Sequence, residues 1–249
     1  MPLAQVPILA YPELVRSGSI TLLIGLLSHE NADIAIDVID LLHELTDEDN
    51  EADEDENEQQ RSSAVKTLIE ALVRCTKNRA FCGFPHVYQL ENSFLELLVE
   101  NLSRLNEEEE ADSLGVFHIL GILENMLAFN PEISKTLIKK TKTLSWILNR
   151  IQNPIQDDNR GYAAELLSIL LQNNRENRIA YGKDDGVEVS LKVLSVTHPM
   201  HFLVSGFSER SPSNSGGRIP PREKNRNSWR MSLMLFVLHL RSPRTKNYS

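Results

Sequence analysis

Cysteine is scarce, with Cys75 and Cys82 the only two in 249 residues. Two thiols build no disulfide framework and suit a reducing compartment. Aromatic residues make up 6% of the chain against a hydrophobic fraction of 41%, so the core must be built mainly of Leu, Ile, Val and Ala. Long uninterrupted apolar runs are missing too. The nearest, "MSLMLFVLHL" from Met231, falls short of the roughly 20 residues a membrane helix needs. The start, "MPLAQVPILAYPELV", has neither the basic opening nor the sustained apolar core of a signal peptide. These absences read as a soluble intracellular chain. No phosphate-binding glycine loop, dinucleotide fingerprint or "GxSxG" elbow occurs. "GKDDG" from Gly182 is a turn before a helix.

What is present is acidic and helical. The net charge is −9, but residues 206–249 carry nine Lys/Arg against two Asp/Glu, a balance of +7. The preceding body therefore holds −16, which argues against nucleic acid as its ligand, because phosphate contacts need Lys and Arg. Apolar residues recur at three- and four-residue spacing almost everywhere before Leu194, the helical period, and strand signals are nearly absent.

The helices repeat. "VIDLLHELTDEDN" from Val38, "ILGILENMLAFNP" from Ile119 and "LLSILLQNNRENR" from Leu166 align, with Asp49, Asn130 and Asn177 expected as turn residues after each helix. A second set interleaves, around Leu22, Leu68, Leu98, Leu144 and Leu191. Its spacing of 46–47 residues matches armadillo and HEAT units, except between Leu68 and Leu98. The expected fold is an all-α armadillo/HEAT-type solenoid over residues 1–194, with an acidic loop at 46–60, an atypical insert at 75–92 and a disordered basic tail at 195–249. A generic helical bundle is the alternative.

The dense carboxylate run 47–58 places Asp47, Asp49, Glu51, Asp53 and Glu58 at calcium-loop spacing, but Ala52 stands where that loop needs Gly. It reads as a solvated, self-repelling excursion. "HELTD" from His43 opens like a zinc-protease motif, yet position 47 is Asp rather than the second His. Cys75, Cys82 and His86 lack zinc spacing and a fourth ligand. No catalytic, cofactor-binding or metal residue is expected. The scattered tail cations Arg218, Arg222, Lys224, Arg226 and Arg230 form only a weak motif.

The stretches "NADIAIDVIDLLHELTD", "NLSRLNEEEEADSLGVFHILGILENM" and "AELLSILLQNNRENR" resemble the beta-catenin-like family of nuclear armadillo proteins, over about residues 6–194 with one break. The resemblance implies a non-enzymatic solenoid in the nucleus. It also implies association with the spliceosome's NineTeen complex through its Myb-like subunit, and recognition of basic localisation segments on partners. No direct nucleic-acid or membrane partner is expected for the repeat body. The family's N-terminal localisation segment has no counterpart here, and residues 195–249 do not resemble it, which reads as truncation or aberrant splicing at both ends. In armadillo units the last helix lines the binding groove. With the second helix set taken as those helices, Glu70, Glu100, Asn101, Arg104 and Asn149 are the candidate partner-binding residues. The competing expectations are a metal-dependent hydrolase and a non-functional product.

Overall fold

The computed structural model describes residues 7–47, 58–77, 92–155, 157–172 and 174–197. The tail, most of the acidic run and most of the 75–92 segment lie outside the described residues, as do the expectations placed on them.

Eleven helices and no strand occur among the described residues. In chain order they are α1 (Pro7–Arg16), α2 (Ser19–Leu26), α3 (Ala32–Thr46), α4 (Glu58–Lys77), α5 (Phe94–Arg104), α6 (Glu110–Phe129), α7 (Ile133–Lys140), α8 (Thr143–Gln152), α9 (Asp158–Leu171), α10 (Arg175–Lys183) and α11 (Gly186–Thr197). They group in threes. First helices α1 and α4 pack together, as do α7 and α10; second helices α5, α8 and α11 pack in series; third helices α3, α6 and α9 form a continuous ladder. This is the armadillo-type solenoid, three complete units followed by α10 and α11.

The grouping corrects one reading. Leu68 lies on α4, a first helix, whereas Leu22, Leu98, Leu144 and Leu191 lie on second helices. The apolar pattern of α4 imitates theirs, which made the Leu68–Leu98 interval look short.

Local chemistry sets the helix ends. Asn31 caps α3 by accepting from the Asp33 amide at 2.9 Å, and Ser93 and Glu96 form a capping box at α5. Asp157 caps α9 and Asn174 caps α10. Asn130 is the C-cap of α6, as the alignment expected. Asn177 is not a turn residue: it lies inside α10, buried, and donates to the Leu170 carbonyl at 2.8 Å. The α9–α10 link is so short that the aligned position already belongs to the next helix.

Expected boundaries also move: of the span 46–60 read as an acidic loop, Thr46 still belongs to α3 and α4 already begins at Glu58. α4 continues to Lys77 because nothing from Arg74 to Lys77 breaks a helix. α11 runs to Thr197, the last described residue.

The core runs along the array. Ile39, Leu42, Ile119, Ile122, Leu123, Leu166 and Leu170 are fully buried in the third-helix ladder, each side chain contributing roughly 1.5–3 kcal/mol by burial. α6 is, by length and composition alone, apolar enough to cross a membrane. Half of its apolar window is buried inside the protein. Glu110, Asp112 and Glu124 interrupt its sequence and hide it from a search for unbroken apolar runs.

Candidate protein-interaction face

The third helices carry an unusual charge pattern. α3 holds Asp33, Asp37, Asp40 and Glu44 and no Lys or Arg. α6 holds Glu110, Asp112 and Glu124, again without Lys or Arg. α9 holds Asp158 and Glu165, and its single cation, Arg160, is buried and donates to the Ile151 carbonyl at 2.9 Å. The first helices α7 and α10 are the reverse. α7 has Lys135, Lys139 and Lys140 and no acid, while α10 sets Arg175, Arg178 and Lys183 against Glu176. The other first helices are mixed: α1 balances Glu13 against Arg16, and α4 carries Glu58 and Glu70 beside four cations.

A chain of polar and aromatic side chains crosses the ladder. His118 of α6 lies 2.5 Å through Nδ1 from Oδ1 of Asp40 on α3. Its ring stacks on His43 of α3, with centroids 4.5 Å apart and planes 16° from parallel. His43 lies against Gly121 of α6, where a Cβ would meet Nε2 at 2.6 Å. Only glycine leaves room for that ring. Tyr162 of α9 approaches the same glycine and donates its hydroxyl to Oε2 of Glu124 at 2.5 Å. Phe117 packs edge-on to Tyr162, with centroids 5.1 Å apart. Side chains from the first and third units therefore meet at one small residue of the unit between them.

His43 is pushed toward its neutral form. Desolvation by burial lowers its pKa most, and the neighbouring His118 lowers it further, against the opposing pull of Asp47 and Asp40.

A second polar cluster locks the units. Arg150 of α8, only 7% exposed, donates Nε to Glu107 at 2.8 Å and Nη2 to Asp157 at 2.6 Å. Asn159 donates to the same Glu107 at 2.9 Å and to the Ser113 carbonyl. Burial alone would lower the guanidinium pKa, but the hydrogen bonds and charges of the two carboxylates outweigh it and raise it. Both acids are engaged, so the cluster is an internal staple rather than a site.

The five residues singled out in the sequence lie elsewhere. Glu70 is on the first helix α4, exposed and paired with Arg74 at 3.8 Å. Glu100, Asn101 and Arg104 are on α5, and Asn149 is on α8, both second helices. Glu100 accepts from Asn92 at 3.0 Å. Asn101 is 2% exposed and donates to the Leu27 carbonyl at the end of α2. Arg104 donates to the His29 carbonyl at 2.7 Å. None of the five is on a third helix, because the helix set on which they were chosen is that of the second helices with α4 added. The signal for the ladder was nonetheless present: Asp33, Asp37, Asp40 and Glu44 recur at helical spacing in a stretch with no Lys or Arg. Among the described residues, no three His, Cys, Asp or Glu side chains gather closely enough to hold a metal ion.

Comparison with known proteins agrees with this architecture. Residues 1–199 match a family described as catenin-beta-like, Arm-motif containing, nuclear. The human beta-catenin-like protein 1 is 37% identical over 187 residues, covering 75% of this chain and 29% of that protein. The rat protein matches to the same extent. A homologue from Schizosaccharomyces pombe is 29% identical over 195 residues, covering 78% of this chain and 30% of its own length. The chain thus spans less than a third of the length of these relatives.

Proposed function

Because the chain belongs to the catenin-beta-like family of nuclear Arm-motif proteins, we propose that it is a non-enzymatic nuclear scaffold whose third-helix face binds basic segments of partner proteins. The observation that carries this reading is the charge of the ladder. Acids stand along α3, α6 and α9 with no exposed Lys or Arg among them. Like charges gathered on one face repel each other in the free protein, and a cationic partner relieves that repulsion. An array of stacked units presents such a face as an extended surface, suited to a long peptide.

By family resemblance the partner is the Myb-like subunit of the spliceosome's NineTeen complex, and the process is pre-mRNA splicing. The test is titration of the purified chain with a peptide from the basic segment of that subunit, over a range of salt. Binding weakens with added salt, and the Asp37→Lys and Glu165→Lys variants weaken it further, while Glu100→Lys on a second helix does so less. Equal loss from Glu100→Lys, or no binding at low salt, refutes the assignment of the third-helix face.

A further inference from the structure

The acidic face is not uniform, because one of its carboxylates is already engaged by an internal group that can carry charge. We propose that Asp40, with the stacked rings of His118 and His43 beside it, is the subsite that takes a cationic side chain of the partner, and that protonated His118 occupies this carboxylate when the partner is absent. The inference rests on the reading of the third-helix face given above and names the group on it that regulates binding.

The geometry carries the argument. The Asp40 side chain is 42% exposed, whereas that of His118 is 18% exposed. The carboxylate thus faces solvent while the imidazole holds it from behind. The stack on His43 holds the His118 ring in place behind that carboxylate. A planar guanidinium can bond the exposed edge of the acid with two of its N–H groups. Gly121 seats the His43 ring close to the α6 backbone, so the stack is fixed in place rather than assembled on binding.

The groups around His118 define its charge balance. From α3 come Asp40, His43, Glu44 and the C-cap Asp47. On α6 itself, Glu124 is held by Tyr162 of α9, whose helix also brings Glu165. Of the cations on the other packed helices, Lys66 of α4 lies over Phe129 at the far end of α6, Arg74 of α4 pairs with Glu70, Arg104 of α5 bonds the His29 carbonyl and Lys135 of α7 pairs with Glu176; Arg61 of α4 is buried, and Lys139 and Lys140 complete the set on α7. An imidazolium and a partner's guanidinium therefore compete for one carboxylate. Binding of the partner expels a proton from His118, and by linkage acid weakens the partner.

The experiment uses the full chain and a fluorescein-labelled octa-arginine peptide, followed by anisotropy at constant ionic strength at pH 8 and pH 5.5, the range over which imidazoles gain a proton. Wild type is expected to lose about fivefold or more in affinity on acidification. His118→Asn, which can still donate to Asp40 without charge, loses most of that pH dependence. His43→Phe, which keeps a flat ring, retains it. Thermal melts establish that each variant is folded. Equal pH dependence in wild type and His118→Asn overturns the subsite while leaving the acidic face standing. Absence of octa-arginine binding at pH 8 and low salt instead overturns the face itself, and the subsite with it.

Discussion

The indole of Trp146 on α8 donates to the backbone carbonyl of Leu102 on α5 at 2.9 Å. One unit earlier, Asn101 on α5 reaches the Leu27 carbonyl at the end of α2 at 2.9 Å. The last carbonyls of a helix lack partners within it. Here the second helix of the following unit supplies them, so successive units are joined by named hydrogen bonds as well as by apolar packing.

Trp146→Phe tests this join. Phenylalanine keeps an aromatic body but cannot donate, leaving the Leu102 carbonyl unpaired in a half-buried setting. Stability should fall by about 1–3 kcal/mol, read by urea denaturation. An unchanged midpoint would show that water replaces the indole without loss.

Arg150 sits between two carboxylates and is nearly excluded from solvent. Removing it leaves Glu107 and Asp157, both partly open to solvent, without their shared cation. Arg150→Ala should lose about 1–3 kcal/mol, less than a fully buried pair would because solvent screens the acids. Arg150→Met with Glu107→Gln removes charge on both sides and should recover part of that loss. If the double variant is no more stable than the single one, the cluster is held by packing rather than by its charges.

Gly121 admits the His43 ring, and a methyl group there would stand 2.6 Å from Nε2. Gly121→Ala should destabilise by about 1–3 kcal/mol through overpacking. His43→Ala in the same chain should relieve much of that penalty, because the two positions share one space. Additive losses in the double-mutant cycle would contradict the contact.

The lowered pKa of His43 gives a signed expectation. In the unfolded chain this imidazole gains its proton at the ordinary value, about 6.5; in the folded chain it does so only at lower pH. The unfolded state therefore binds more protons in that window, and stability declines as pH falls. The contribution is fully present above the unfolded value and is lost as pH falls through the folded one. His43→Gln should flatten this slope relative to wild type between pH 7.5 and 5.5 in denaturant titrations. An identical slope in both proteins would mean that other groups account for it.

The helical class and the ladder helices could be read from the sequence because they depend on apolar spacing. The positions Val38, Ile119 and Leu166, aligned by pattern alone, all fall on third helices. The site was harder to read because it depends on which helices face one another. α4 carries the same "TLIEAL" type of pattern as a second helix, and only its packing against α1 identifies it as a first. Asn101, a candidate partner-binding residue by sequence, is buried because the end of α2 needs a donor there. The stack of His43 and His118 joins residues 75 positions apart through the space left by Gly121, which no local spacing reveals.

Among the described residues, the acids of α3, α6 and α9 lie on other helices than the cations of α7 and α10, a separation that gives this part of the chain an uneven field. Under the proposed function, in a salt solution with a Debye length of about 8–10 Å, that field turns an approaching basic chain toward the acidic face before any side chain touches it. Acids remote from the final contact then influence the association rate more than the lifetime of the complex. Under the proposed function, the array selects the orientation of a basic partner during diffusion, and the local contacts determine how long that partner stays.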